Sequence, residues 1–329
     1  MLQSLPSVSA SAPPGILSSA GDDAIRRFIE YFTAHIRNRH TRRAYFRNAT
    51  RFLSWCEVQG LTSLQQISPV MVASYIELLQ DSHSKPTVKQ ILASIRMLFD
   101  WLVTGQVVPV NPAHAVRGPK HVVMKGKTPV LSNEEMRLLF QGIPTKIADM
   151  NGNPVPDVIG LRDRALIATM FFTFARVGAV VGMAVADYFP QGKRYWLRLS
   201  EKGGRQHEMP AHHTLEEYLD AYIQGGGLAD DMKGPLFRTA PGKTGTLTQK
   251  PMQPTDVWRM IRRRATEAGI RTPICCHSFR ATGITNYLEH NGTLEKAQQM
   301  AAHASPRTTK LYDRTSDQVS LDEVEKITL

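Results

Sequence analysis

Residues 117–128 read Arg-Gly-Pro-Lys-His-Val-Val-Met-Lys-Gly-Lys-Thr, with two glycines, one proline and no apolar period. Proline removes a backbone donor and glycine resists ordering, so neither a helix nor a strand is expected to run through this stretch. The chain is therefore constrained to fold as two bodies joined by a basic linker. Its 329 residues are enough for each body to bury a core of its own.

The part before the linker, residues 21–118, reads as a helical bundle. Over residues 86–103, Val88, Ile91, Leu92, Ile95, Leu98, Phe99 and Leu102 recur every three or four positions, which is one apolar stripe of a helix. Gly105 stops it. A helix over residues 69–79 presents Val72, Tyr75, Ile76 and Leu79. Another is expected to begin after Thr41, a candidate N-cap, with Tyr45, Ala49, Phe52 and Cys56 inside. Arg43, Arg47 and Arg51 then share its opposite face, with Arg39 just ahead of them. Four cations in line with no acid between them repel one another, so they need solvent or an anion. Both a solvated face and a phosphate-binding face fit. Residues 1–20, rich in Ser, Pro and Ala, read as a disordered tail without the basic start and apolar run of a secretory signal.

Residues 131–329, beyond the 119–130 linker, are mixed. Ser132 and Glu135 form a capping box, and Leu131 with Met136 a hydrophobic staple. Residues 161–174 predict a buried helix. Residues 195–200 and 205–209 predict two strands joined by a turn at 201–204. Helices follow over 214–223, 255–268, 279–289 and 294–302. Near the end, Val319, Leu321, Val324 and Ile327 give a narrow apolar face that cannot fold alone and must dock, in cis or on another protomer. The fold class is mainly α with a small β-sheet.

Lys plus Arg total 40 against 29 for Asp plus Glu, a net charge of +11. That excess suits a polyanion, either nucleic acid or an anionic membrane surface. No apolar stretch approaches the ~18 residues of a membrane span. Cys56, Cys275 and Cys276 contain no CxxC, which argues against a disulfide framework and a zinc site and for reduced thiols. The adjacent His212 and His213 cannot share one metal face. Gly242-Lys243-Thr244 resembles the end of a phosphate-binding loop, but Phe237 stands where its first glycine belongs. Arg259, Arg262, Arg263 and Arg264 lie on a helix that buries Val257, Ile261 and Ala265, and this basic face is either solvated or DNA-facing.

Arg176 ends an apolar helix where the chain turns. Lys202 sits at the tip of the predicted hairpin, with Pro210 eight residues on. His277 and Arg280, then His303, then Tyr312 follow at gaps of 3, 23 and 9 residues. At these positions the sequence resembles the tyrosine recombinase (phage integrase) family, including its Xer and Cre types. Arg176 resembles the first catalytic arginine, Lys202 the hairpin lysine, and His277-Ser-Phe-Arg280 the HxxR box. Ala301-Ala-His303 resembles Leu-Gly-His, and Thr308-Thr-Lys-Leu-Tyr312 the nucleophile segment. Residues 41–45, Trp101-Leu and Asn111-Pro112 resemble the core-binding domain and its exit. The likeness extends over residues 22–315. In two places the sequence departs from the pattern: Ala179 stands where an acidic residue is common, and Ala302 where glycine is usual.

The resemblance implies a simple site-specific recombinase of a mobile element or chromosome-resolution system, shaped as a two-domain C-shaped clamp. It implies a homo-tetramer on double-stranded DNA carrying a specific site, a covalent 3′-phosphotyrosine and a Holliday junction. It also implies docking of the C-terminal helix on a neighbouring protomer, and bacterial cytoplasmic, nucleoid-associated localisation. No metal and no other cofactor are expected, and accessory proteins are unknown. The chemistry is consistent with those residue types. Attack on a phosphodiester builds negative charge, which fixed cations must neutralise when no metal does so. Arginine holds two phosphate oxygens at once, which suits Arg176 and Arg280. A phenol of pKa about 10 needs a base or a cationic pocket, and His277 is the candidate. His303 can donate to a non-bridging oxygen, and Lys202 can protonate the leaving hydroxyl. Arg39, Arg43, Arg47, Arg51, Lys120, Lys125, Lys127 and Arg205 are the candidate DNA contacts. A type IB topoisomerase and a non-catalytic DNA-binding protein on the same fold are the alternatives.

Overall fold

The computed structural model describes residues 14–121, 126–201, 204–242, 244–313 and 324–325. It divides into two compact units, Met1–Val122 and Val123–Leu329.

The first unit is helical throughout: α1 (Gly15–Ser18), α2 (Asp22–Glu30), a π-helical turn (Tyr31–His35), α3 (Arg39–Val58), α4 (Pro69–Gln80) and α5 (Lys85–Thr104). The stripe expected on α5 is its buried face, with Val88, Ile95, Leu98, Phe99 and Leu102 fully enclosed against α3, α4 and α2. Past α5, the Nδ2 of Asn111 donates to the Arg96 carbonyl and to Asp100 Oδ1, at 3.0 and 2.7 Å. Arg96 returns bonds to the carbonyls of Ala113 and Val116. This exchange ties the exit segment back onto the helix.

Two expectations for this unit are corrected. The tail was expected to be disordered through residue 20, but α1 folds and buries Ile16 and Leu17. The apolar pair outweighs its Ser- and Pro-rich surroundings, and Glu57 Oε1 accepts from the Ile16 backbone N–H at 2.6 Å. Residues 1–13 of the expected tail lie outside the described residues. Helix α3 begins two residues before Thr41, capped by Asn38, whose Oδ1 accepts from the N–H groups of His40 and Thr41. Asn outcompetes Thr because its acceptor reaches both orphan donors of the first turn.

The second unit holds α6 (Asn133–Gln141), a two-stranded hairpin of β1 (Lys146–Ala148) and β2 (Pro154–Pro156), α7 (Val158–Thr173) and α8 (Val177–Val181). A three-stranded antiparallel sheet follows, made of β3 (Tyr188–Gln191), β4 (Arg194–Glu201) and β5 (Arg205–Pro210) in that order. Then come α9 (His213–Gly225), α10 (Pro254–Glu267), α11 (Cys276–Glu289), α12 (Leu294–Met300) and α13 (Pro306–Lys310). The capping box at α6 forms as expected, Ser132 N–H to Glu135 Oε2 at 2.9 Å and Glu135 N–H to Ser132 Oγ at 3.1 Å. Leu131 and Met136 are both buried in the core it opens onto. Glu201, expected in the hairpin turn, is the last residue of β4 and is buried. Helix α11 starts three residues earlier than expected, which puts His277 and Arg280 on its first turns. Helix α7 is enclosed on nearly all sides, so it is the central rod of this unit.

That burial creates an electrostatic demand. Asp163 of α7 has no exposed surface and pairs with Arg162 at 2.7 Å, Arg264 at 2.9 Å and Arg263 at 3.0 Å. Arg264 is therefore turned inward, which corrects the uniformly outward basic face expected of α10. It also donates to Glu267 at 2.9 Å. Breaking a buried charge set by removing one partner costs about 3–5 kcal/mol. Asp163→Ala should accordingly lower the thermal midpoint of this unit by roughly 10 °C. A calorimetric melt of the variant beside the parent protein is the check, and a midpoint within 2 °C, roughly the effect of 1 kcal/mol or less, would show that the arginines re-pair without the carboxylate.

Candidate active site

Helix α7 ends at Phe174, which takes a left-handed conformation with φ of 57°. The chain then turns so that Arg176 caps α8. From the far side, β4 brings in Glu201. Its Oε2 lies 2.5 Å from Arg176 Nη1, and its Oε1 accepts the Arg176 backbone N–H at 3.2 Å. The same Oε1 is 3.8 Å from Arg280 Nη1. One carboxylate therefore lies between two guanidinium groups.

Arg280 has no exposed surface. Its Nη1 donates to the carbonyl of Phe174 and its Nη2 to that of Ala301 at 2.5 Å. The Nε of Arg280 has no hydrogen-bond partner among the described residues. Burial and the neighbouring charge of Arg176 push this guanidinium down to about 10, with Glu201 opposing the shift. It remains cationic at neutral pH.

Helix α12 leads to Ala302 and His303, and α13 leads to Tyr312. The Oη of Tyr312 lies 2.6 Å from His277 Nε2. Its ring is stacked on His303, with centroids 5.7 Å apart and planes 8° from parallel. His303 Nδ1 and Thr309 Oγ1 are 2.8 Å apart. Thr285 Oγ1 donates to the Tyr312 carbonyl at 3.1 Å. The Gly126 N–H donates to the Leu311 carbonyl at 2.8 Å, an approach so close that a Cβ at 126 would meet that oxygen at 2.6 Å.

The titration behaviour is coherent. Burial first, then Arg280 and Arg176, lower the pKa of His277. Burial and those same charges, with His277 added, bring His303 down to about 3. Burial raises Tyr312, and Arg280 and Arg176 partly offset it. At neutral pH both imidazoles are neutral and each has one acceptor nitrogen, so the tautomer with a bare Nε2 places the His277 acceptor 2.6 Å from the phenolic oxygen. Two arginines, one glutamate and neutral histidines leave a net positive pocket, to which an anion is attracted.

Five expected residues thus converge: Arg176, His277, Arg280, His303 and Tyr312. Lys202 lies outside the described residues, although its neighbour Glu201 is at the centre of the group. Sequence reading missed Glu201, whose one available signal was an acid beside the hairpin lysine. Among the DNA-contact candidates, Arg39, Arg43 and Arg47 are exposed on α3 and Arg51 is half-buried. None of the four has a carboxylate partner among the described residues. Lys120, Lys127 and Arg205 are exposed, and Lys125 lies outside the described residues, as do Val319, Leu321 and Ile327 of the expected docking helix. No group of His, Cys, Asp or Glu that could hold a metal occurs among the described residues. None of their helices is long and apolar enough to cross a membrane.

Residues 131–318 match the family model described as the phage integrase family, and residues 25–106 match that of the phage integrase N-terminal SAM-like domain. The chain is 25% identical to tyrosine recombinase XerD of Chlorobaculum tepidum, over 92% of this chain and 94% of that one. It is 28% identical to tyrosine recombinase XerC of Pelobacter propionicus, over 84% and 85%. Among solved structures, the XerH site-specific recombinase bound to palindromic difH substrate aligns with a TM-score of 0.66 at 16% identity, over 97% of this chain and 98% of that one. A lambda integrase (75–356) dimer bound to a COC′ core site aligns at 0.65 and 18%, over 91% and 98%. These two share the fold.

Ala302 has φ of 46°, in the left-handed region that favours glycine. The departure at this position therefore keeps the backbone conformation and leaves strain of about 1 kcal/mol. Ala302→Gly should raise the melting midpoint of the unit by roughly 2–4 °C. An unchanged or lowered midpoint would mean that the alanine methyl returns that energy through packing.

Proposed function

The chain belongs to the phage integrase family, and on that premise we propose that Tyr312 is the nucleophile with which it cleaves and rejoins DNA. It is a DNA breaking-and-rejoining enzyme that carries out site-specific recombination. The observation that carries the assignment to Tyr312 is the 2.6 Å bond to a neutral histidine, beside two arginines held on one carboxylate.

In the proposed reaction, a scissile phosphate enters between Arg176 and Arg280, whose cations neutralise the charge that builds on its non-bridging oxygens. The Nε of Arg280, without a hydrogen-bond partner among the described residues, is a buried donor that such an oxygen would satisfy. Tyr312 Oη attacks phosphorus as its proton passes to His277 Nε2. The bond from phosphorus to the 5′-oxygen breaks, and Lys202 supplies the proton that makes the departing hydroxyl. His303, neutral and fixed by Thr309, donates a hydrogen bond to the phosphate. The product is a 3′-phosphotyrosine that conserves the bond energy, so a second 5′-hydroxyl reseals the strand by the reverse steps. The strand exchange proceeds through a Holliday junction.

DNA is the partner of this chemistry. Homo-tetramers on duplex DNA with a specific site are proposed as the working assembly, acting in the cytoplasm at the nucleoid. This is in keeping with a related lambda integrase described as a tetramer bound to a Holliday junction. Arg39, Arg43, Arg47, Arg51, Lys120, Lys125, Lys127 and Arg205 are proposed to contact the DNA backbone.

Tyr312→Phe should bind the site as the parent does and form no covalent complex. The measurement is a denaturing gel of labelled, nicked suicide duplex after incubation with protein. A persistent adduct in that variant would assign the nucleophile elsewhere. Separately, Arg43→Ala should flatten the dependence of log affinity on log salt by about 0.9. An unaltered slope across a salt titration would return the α3 stripe to an ordinary solvated face.

A further inference from the structure

We infer that Glu201 is a positioning residue of the cleavage reaction, holding Arg176 and Arg280 as a single two-pronged clamp in place of an acid at residue 179. The inference rests on the recombinase reading above. Residue 179 is a buried alanine and carries no charge. Yet the buried Arg280 guanidinium and the partly exposed Arg176 guanidinium both approach one buried carboxylate, so two like charges are held near each other where desolvation is costly. Something must hold them together before a phosphate arrives.

Glu201 is placed to do so. Its side chain is 1% exposed, and its two oxygens divide between the arginines: Oε2 on the Arg176 guanidinium at 2.5 Å, Oε1 on the Arg176 backbone N–H at 3.2 Å and 3.8 Å from Arg280. The backbone bond fixes the turn after Phe174 as well as the side chain. The opposing influence of Glu201 on the Arg280 guanidinium agrees with this geometry. With two cations and one anion, the pocket keeps a net positive charge for the phosphate. Glu201 also ends β4 immediately before Lys202, so the arginine pair and the base of the lysine-bearing hairpin share one anchor. A carboxylate here acts through the arginines and does not touch the reacting atoms.

The test compares two nicked suicide duplexes of one sequence, recovered by covalent capture from a randomised duplex library with the parent protein. One carries the natural phosphate at the cleavage position. The other carries a methylphosphonate, in which a neutral methyl replaces one non-bridging oxygen and removes the charge the clamp neutralises. Glu201→Gln should form adduct on the phosphate duplex roughly 10–100-fold more slowly than the parent, with site binding unchanged. On the methylphosphonate its rate should fall within about 3-fold of the parent, because less depends on clamp geometry there. A merely structural defect would slow both substrates equally, and that result, or no slowing on either, overturns the inference. Glu201→Asp, which keeps the charge one methylene short, should show a smaller loss with the same narrowing, and it serves if the glutamine variant does not fold. Failure of the parent protein itself to form any adduct would instead overturn the recombinase chemistry assigned to this pocket.

Discussion

A guanidinium with no exposed surface must find acceptors inside the protein, and Arg280 sets that condition for the whole second unit. Its acceptors are the carbonyls of Phe174 and Ala301, and the carboxylate of Glu201 is its ion-pair partner at 3.8 Å. Phe174 is left-handed, and so is Ala302, the residue after Ala301. Of the four non-glycine residues with positive φ among the described residues, these two carry or directly follow a carbonyl that receives Arg280. Backbone strain at such points persists only when the surroundings over-determine it. Here α7, α12 and β4 all end around one charge.

The same residue type serves opposite ends elsewhere in the chain. Arg162 and Arg264 are both buried on Asp163, the first within α7 and the second as an internal strut from α10 to α7. Arg39, Arg43 and Arg47 stand exposed along α3 with no carboxylate beside them among the described residues. A net charge of +11 combines both uses and cannot distinguish them. What separates them is where an acid is available. Asp163 lies inside an apolar helix and draws cations inward. The first turns of α3 contain no acid, and their cations are left to solvent or to phosphate.

Much of the candidate active site was legible from the sequence because its parts are local. His277 and Arg280 are three residues apart on one helix, and Tyr312 follows His303 at a fixed short distance. Those spacings survive folding. The apolar stripe of α5 was legible for the same reason, since a period of 3.6 is a local property. Glu201 was not legible. It looked like a turn residue, and its role depends on a strand crossing to meet a turn 25 residues earlier in the chain. Arg264 was hidden likewise, because its partner Asp163 lies 101 positions away. The short helix α1 was missed for a different reason. Two apolar residues in a Ser- and Pro-rich segment carry no period, and only the presence of a core to receive Ile16 and Leu17 orders them.

The bond between Gly126 and Leu311 ties the segment ahead of α6 to the segment that bears the proposed nucleophile. Leu311 immediately precedes Tyr312, so a pull on residue 126 is borne by the peptide group next to the phenol before it reaches α6. Residue 126 must be small for that clip to close, and the sequence supplies glycine there. Any displacement of residue 126 is thereby placed one residue from the proposed nucleophile.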